Sequence, residues 1–475
     1  MKKIIIIGGG IVGCFLAHDL SKYEVDITLL ERNADICDEI SSANSAIIHA
    51  GYDPEDGTLK ANLNCRGAKL YPNICASINA DYQRCGAYIV ACGEQEEQRL
   101  QTLKIRGEAR GITMIPRTRA QLLEKEPHLS LSVSAGLSVP ETAIITPWEV
   151  GLGLIQEAVL NHVTLKLSEA VIAIKKQEEG YIVQTTKAIY PADIVINAAG
   201  LGAAHIMEMV EEKPLFTITP KRGQYFVLSK HANDYVHHIL YPVPGPTGKG
   251  VLCLPTCHGN ILLGPNSEVL MEQNNATTAD GLNEVKEKLK KTMQDIPYQE
   301  VIHSYSGLRP SGNHNDFFIQ HSPNNLNFIH LGCIDSPGLA SAPAISEYVL
   351  ETLILPHHNL KYRTMYHHHK LPIRLKDLTE NERQALIQQK SGYGHIICRC
   401  EQISEQEVID HIHEPFPAKT IKEIKKRVRP GMGKCQGGFC EIEVATILAR
   451  ELGIPLHEVA YDKTTYFMES KGVRK

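Results

Sequence analysis

The feature that most constrains this chain is a glycine fingerprint at its start. Ile4-Ile5-Ile6-Ile7 runs straight into Gly8-Gly9-Gly10-Ile11-Val12-Gly13, then a helix-like stretch to Leu20 and a second apolar run, Ile27 to Leu30, closed by Glu31-Arg32. In the spacing Gly8-x-Gly10-x-x-Gly13, one glycine makes the tight turn, one admits backbone N–H groups to a pyrophosphate, and one lets helix and strand pack closely. The positive end of the helix then faces the phosphates. Glu31, at the tip of the second strand, is placed to accept hydrogen bonds from a ribose diol, which argues against a phosphorylated ribose. A glycine-rich turn alone is weak evidence. Here strand, helix, second strand and terminal acid occur in order, and they predict a unit that binds an adenine dinucleotide, NAD or FAD.

With 475 residues, 43% of them hydrophobic, the chain can bury a large core and divide into two or three domains. A net charge of -5 gives no reason to expect nucleic acid or anionic membrane as a partner. No apolar run reaches the roughly 18 residues that span a bilayer. The dinucleotide strand begins at Lys2, which leaves no room for a signal peptide and predicts a cytoplasmic protein. Thirteen cysteines, an odd number, predict reduced thiols or metal ligands rather than a disulfide framework.

Farther along, Ser41 to Gly51 mixes small polar residues with His49 and suits a loop lying along a cofactor. From Gly86, strand-like pieces (87–91, 112–115, 135–139) alternate with helical ones (94–110, 118–126), the pattern of a substrate-covering insertion. Thr146-Pro147 opens a helix to about Asn161, with Thr146 as its N-cap. A buried strand then ends in Asn197-Ala198-Ala199-Gly200, small enough to press against the dinucleotide. Strands at 216–228, 238–241, 250–254 and 260–263 predict a sheet on the substrate side, and a polar helix follows at 281–293. Ser336-Pro337-Gly338-Leu339-Ala340 opens another helix, with Ser336 as N-cap. Its N-terminus suits the negative charge of a reduced flavin, for which a nicotinamide enzyme has no need. The histidines at 357–358 and 367–369 read as a solvated spacer, because adjacent rings on a linker rarely converge on one ion.

Cys398-Arg399-Cys400 and Cys435-Gln436-Gly437-Gly438-Phe439-Cys440 are two close thiol pairs. Together they can close a tetrahedral sulfur site, either zinc or an iron–sulfur cluster. The flanking glycines free backbone N–H groups to point at sulfur.

The fingerprint with Glu31, the run Ser45-Ala46-Ile47-Ile48-His49-Ala50-Gly51, Asn197-Ala198-Ala199-Gly200, Gly307-Leu308-Arg309-Pro310 and Ser336-Pro337-Gly338-Leu339 together resemble the D-amino-acid oxidase superfamily of FAD enzymes. Over about residues 1–355 the chain is similar to the branch that holds glycerol-3-phosphate dehydrogenases and L-2-hydroxyglutarate oxidases. Many members carry glycine where this chain has Ala46. The resemblance implies noncovalent FAD on Gly8, Gly10, Gly13, Glu31, Arg32, Ser45, Gly51, Ala199, Gly200, Gly332, Gly338, Leu339 and Ala340. It also implies hydride transfer to the flavin from a CH–OH or CH–NH carbon. His49 is the candidate proton acceptor and Arg309 the candidate anion holder. Residues 394–462, above all Gly431 to Cys440, resemble the bacterioferritin-associated ferredoxin-type [2Fe-2S] domain, which implies Cys398, Cys400, Cys435 and Cys440 as ligands.

The expected fold is α/β: a Rossmann-type FAD-binding domain (1–85, 141–215 and 300–355) with an inserted mixed-sheet substrate domain (86–140 and 216–299). A linker (356–393), a small helical [2Fe-2S] domain (394–462) and a tail (463–475) follow. The expected activity is oxidation of glycerol 3-phosphate to dihydroxyacetone phosphate, with electrons relayed through the cluster to an acceptor subunit or flavoprotein. Such a partner could bring peripheral membrane association. An L-2-hydroxy acid dehydrogenase, an amine or imino-acid dehydrogenase, and a non-catalytic electron carrier are the alternatives. The substrate is expected to be a small phosphate or carboxylate.

Overall fold

The strand Lys2–Ile7 lies fourth in a six-stranded sheet, between Ile194–Asn197 and Val25–Leu30, both parallel to it. The computed structural model describes residues 1–245, 250–462 and 465–466, so most of the expected tail is outside the described residues. Ile4, Ile5 and Ile6 are at most 1% exposed. A strand covered on both faces needs an unbroken apolar run of this kind, not an alternating one. Thr164–Lys166 extends one edge, and Asn325–Gly332 with Phe318–Ser322 the other. The helix Ile11–Leu20 packs between Pro147–Leu160 and Gly338–Tyr348. An antiparallel meander, Val171–Lys176, Tyr181–Thr185 and Ile189–Ala192, leads into Ile194–Asn197.

The substrate side is a nine-stranded sheet that joins Ala87–Ala91 and Ala135–Val139 to Ile239–Pro242, Leu252–Pro255, Ile261–Gly264 and Ile218–Leu228. Val301–Gly312 pairs with Ile218–Leu228 from Ile218↔Gly312 to Leu228↔Val301. Residues 301–312 therefore lie in this sheet, beyond the limit of 299 read from the sequence. The strand expected at 112–115 begins instead at Ile115 and runs to Thr118.

Of the two expected caps, Thr146 holds its position and Ser336 does not. Thr146 occupies the N-cap position but caps nothing with its side chain, and its Oγ1 instead lies 3.0 Å from His258 Nε2. Pro337, not Ser336, is the N-cap residue of Gly338–Tyr348.

Part of the connector is a strap rather than a solvated spacer. Tyr362 stacks on Tyr23 with ring centroids 4.4 Å apart, and backbone bonds run from Glu24 N to Lys361 O and from Arg363 N to Lys22 O. The histidines diverge: His368 Nδ1 reaches Glu157 at 2.8 Å, whereas His369 faces Glu414 at 3.9 Å. The reason is backbone pairing, which sequence periodicity does not report. His367 exchanges both of its backbone bonds with the Asn161 side chain.

The C-terminal unit has its own core around Ile397, Val408, Ile424, Val444 and Leu448, built from Glu405–Ile412, Ile421–Val428 and Glu441–Leu452. It is also docked. Phe416 enters the flavin-side core, and its backbone N–H and C=O pair with the Gln156 amide at 2.8 and 2.9 Å. Among the described residues, no helix is long and apolar enough to cross a membrane.

Candidate active site and sulfur centre

The two sheets meet over a cavity of about 930 Å³. Gly8, at φ +109°, could carry no side chain, because a Cβ there would come 2.5 Å from Ala198 O. A Cβ on Gly13 would stand 2.0 Å from Gly8 O, so this glycine serves helix–strand contact and does not line the cavity. Gly8, Gly10, Glu31, Arg32, Ser45, Ala199, Gly200, Gly338, Leu339 and Ala340 all line it. Gly51 and Gly332 do not. They are close-packing positions, where a Cβ would meet Cys65 Sγ at 2.4 Å and the Phe216 ring at 2.5 Å.

Glu31 accepts from Gly9 N and Asn33 N, each at 2.7 Å, and burial raises its pKa. Each carboxylate oxygen keeps a further lone pair for a diol. Arg32 is spoken for by Glu39, with bonds of 2.9 and 2.7 Å. The loop 41–51 is stitched to both neighbours. Ile11 N donates to Ser41 Oγ at 2.9 Å, Tyr305 Oη donates to Asn44 O at 2.8 Å, and Ser45 Oγ lies 3.1 Å from Tyr225 Oη. Ala46 sits at φ +59°, where glycine is at ease. Left-handed backbone costs alanine about 1–2 kcal/mol, and glycine would lose about 0.4–1 kcal/mol through unfolded-state entropy. The second offsets part of the first, so alanine stands here at a small net cost.

His49 and Arg309 also line the cavity. The His49 carbonyl accepts from Asn64 Nδ2 at 2.6 Å, and its ring Nδ1 lies 3.0 Å from Tyr241 Oη. Arg309 lies against Gly223, where a Cβ would meet its guanidinium at 2.7 Å. Its cross-strand partner is Lys221, which also lines the cavity. Among the described residues, neither cation is paired with a carboxylate. Lys60 and Asp335 form an ion pair at 2.7 Å, and Asp335 also accepts from Ser311 Oγ at 3.1 Å. Sequence reasoning missed Lys221, Tyr225 and Tyr241, which carry no motif and look like any residue of an alternating strand.

Asp81, Glu149 and His258 offer donor atoms within 4.8 Å of one another. Arg374 already pairs with both carboxylates, at 2.5 and 3.3 Å, so this is an ion-paired junction between linker and body.

In the C-terminal unit the four thiols gather in two pairs, each taking one cysteine from each motif. Cys400 and Cys435 stand 3.8 Å apart, and the Cys440 thiol donates to Cys398. Two thiolates bound at about 2.3 Å to one tetrahedral ion are themselves about 3.8 Å apart, so the donor set fits an ion per pair. The bond from Cys440, then N–H groups of Glu401 and Gly431, pull Cys398 down to about 6. Gly433 leaves room for Cys400, whose Cβ would lie 2.2 Å from a Cβ there. Cys398 and Cys440 are buried and Cys400 is exposed, so one edge of the centre meets solvent.

Residues 3–352 match the family described as FAD dependent oxidoreductase. The chain belongs to that family. Residues 396–450 match the BFD-like [2Fe-2S] binding domain. The protein is thus an FAD-dependent oxidoreductase carrying a [2Fe-2S] domain, and the cradle and the four thiols fit these two cofactors. It is similar to a glycerol 3-phosphate dehydrogenase from Caloramator mitchellensis, 37% identical over 465 residues and 97% of each chain. It is 30% identical to an L-2-hydroxyglutarate dehydrogenase from Escherichia coli, over 56% of this chain and 64% of that one. The FAD-bound, dithionite-reduced L-alpha-glycerophosphate oxidase from Mycoplasma pneumoniae superposes with a TM-score of 0.74 at 29% identity, covering 79% of this chain and all of the other.

Proposed function

We propose that this flavoprotein oxidises glycerol 3-phosphate to dihydroxyacetone phosphate and passes the electrons through the sulfur centre to a separate acceptor. The observation that carries the reading is the pair Lys221 and Arg309. They are cross-strand neighbours facing one cavity wall, without carboxylate partners among the described residues, and the cavity also holds His49. Two adjacent cations left unneutralised in a pocket are matched to a phosphate bearing close to two charges. The name of the Caloramator mitchellensis relative supports the same substrate.

Arg309 offers a planar fork and Lys221 a point charge to the phosphate, which fixes how far the substrate's secondary alcohol extends toward His49. His49 takes the hydroxyl proton as the carbon loses its hydride, leaving the ketone. Tyr225 and Tyr305, stacked at 4.6 Å, hold the 41–51 loop against this wall. When bound, FAD supplies the two-electron acceptor and the cluster a one-electron outlet. The exposed edge at Cys400 is where a partner would collect electrons. A carboxylate could use the same two cations, which keeps an L-2-hydroxy acid as the second reading.

Anaerobic stopped-flow mixing with glycerol 3-phosphate and, separately, L-2-hydroxyglutarate tests the proposal. Rapid flavin bleaching by the first alone is expected. Bleaching by the second alone would transfer the reading to hydroxy acids.

A further inference from the structure

Two different elements hold His49 among the described residues. Asn64, fully buried on the helix Leu59–Ser77, donates to its backbone carbonyl at 2.6 Å. Tyr241, on the strand Ile239–Pro242 in the middle of the larger sheet, places its hydroxyl 3.0 Å from ring Nδ1. The two rings are tilted by 37°, with centroids 5.8 Å apart. Tyr241 is only 3% exposed, wedged between Ala87–Ala91 and Leu252–Pro255. A side chain packed this way has one rotamer available, so its hydroxyl is a fixed point.

We propose that Tyr241 is the positioning residue for His49: Nδ1–H donates to the Tyr241 oxygen, so that Nε2 is the nitrogen presented to the substrate alcohol. This rests on the reading of His49 as proton acceptor. A neutral imidazole has one donor and one acceptor nitrogen, and the bond made by one decides the role of the other. With Nδ1–H committed to an oxygen, the Nε2 lone pair receives the alcohol proton as the C–H hydride departs. The O–H bond breaks, N–H forms, and the positive charge spreads to Nδ1–H. That strengthens its bond to the neutral phenol, which becomes charge-assisted. Tyr241 therefore raises the basicity of His49 as well as aiming it. Burial pushes the phenol well above its ordinary value, so it stays protonated throughout. Among the described residues, the other titratable groups around the pair include Tyr52 and Asp53 just after His49, Cys65 on the helix, Cys85 before the first strand, and Arg309 and Lys221 in the cavity. A change confined to the Tyr241 oxygen leaves all of them in place.

The test compares Tyr241→Phe, His49→Ala and the parent holoenzyme by anaerobic flavin reduction with glycerol 3-phosphate from pH 5.5 to 9. Tyr241→Phe is expected to retain FAD and to reduce it about 10- to 100-fold more slowly at saturating substrate, a part of the roughly 10²–10⁴ that a positioned base supplies. KM should be little changed and the acid limb should move to lower pH. An unmoved acid limb, whether or not the rate falls, overturns the proposal, since a packing role would leave it unmoved. If His49→Ala reduces its flavin at the parent rate, it is the base reading that fails. Nitrogen-15 NMR of histidine-labelled parent protein, with His49→Ala for assignment, gives a check that needs no Tyr241 variant. A proton on Nδ1 is expected, and one on Nε2 would refute the arrangement.

Discussion

Lys426 Nζ lies 2.8 Å from Asp35 Oδ2, and both side chains are buried where the C-terminal unit meets the loop that follows the second dinucleotide strand. Lys426 also donates to Ile36 O, Arg427 reaches Asp35 at 3.4 Å, and Lys422 pairs with Asp38 at 2.9 Å. The same loop bonds back to the glycine turn through Cys37 N to Gly9 O at 2.8 Å. The [2Fe-2S] domain thus braces the FAD cradle.

Removing one partner of a buried pair strands the other, at a cost of roughly 3–5 kcal/mol. Arg427 still faces Asp35, so Lys426→Met is expected near the lower end. Thermal melting followed by flavin fluorescence should show FAD released at a lower temperature. An unchanged release temperature would mean that the brace does not bear on the cradle.

Arg309→Met and Lys221→Met should each raise KM for a phosphate substrate, by roughly 2–5 kcal/mol of lost binding where the charge is desolvated. Flavin reduction at saturation should change far less. Because the two share one anion, the double variant should lose less than the sum of the single losses. Steady-state kinetics with the double-mutant cycle would show this.

Cys435→Ser breaks the pair with Cys400 and should abolish the cluster's absorbance and its reduced-state electron paramagnetic resonance. The flavin should remain bound and still bleach with substrate, while turnover with a one-electron acceptor collapses. Loss of flavin together with the cluster would show a tighter coupling than the brace implies.

The strap adds a dependence on pH. Against the upward pull of burial, hydrogen bonds with His18 and His368 hold Glu157 at about 2. A depressed carboxylate contributes stability above its unfolded value, near 4.5, that is lost as pH falls toward 2. His18 is raised, by its bonds to Asp19 and Glu157, in spite of burial. Its contribution is complete below about pH 6.5 and fades as pH rises through the folded value. Glu157→Gln should therefore lower the melting temperature by a few degrees between pH 5 and 6 and by less at pH 9. A loss independent of pH would leave packing alone as the cause.

The sequence by itself determined the local chemistry: the glycine turn with Glu31, the apolar central strand, and the two thiol motifs. Each is a short-range pattern in which residue type and spacing dictate backbone conformation or donor set, so it can be read before any fold is known. It also marked His49 and Arg309, through short runs that resemble a family. Only the tertiary structure decided what surrounds them. Lys221 joins Arg309 through a strand register set 88 residues apart in sequence, and Tyr241 reaches His49 across 192. Neither partner has a local signature, because pairing between distant strands is fixed by packing of the whole sheet. The same holds for Thr146, which sits at the cap position as read but turns its hydroxyl to His258. It holds too for the histidine linker, which reads as a spacer until its backbone finds Lys22 and Asn161.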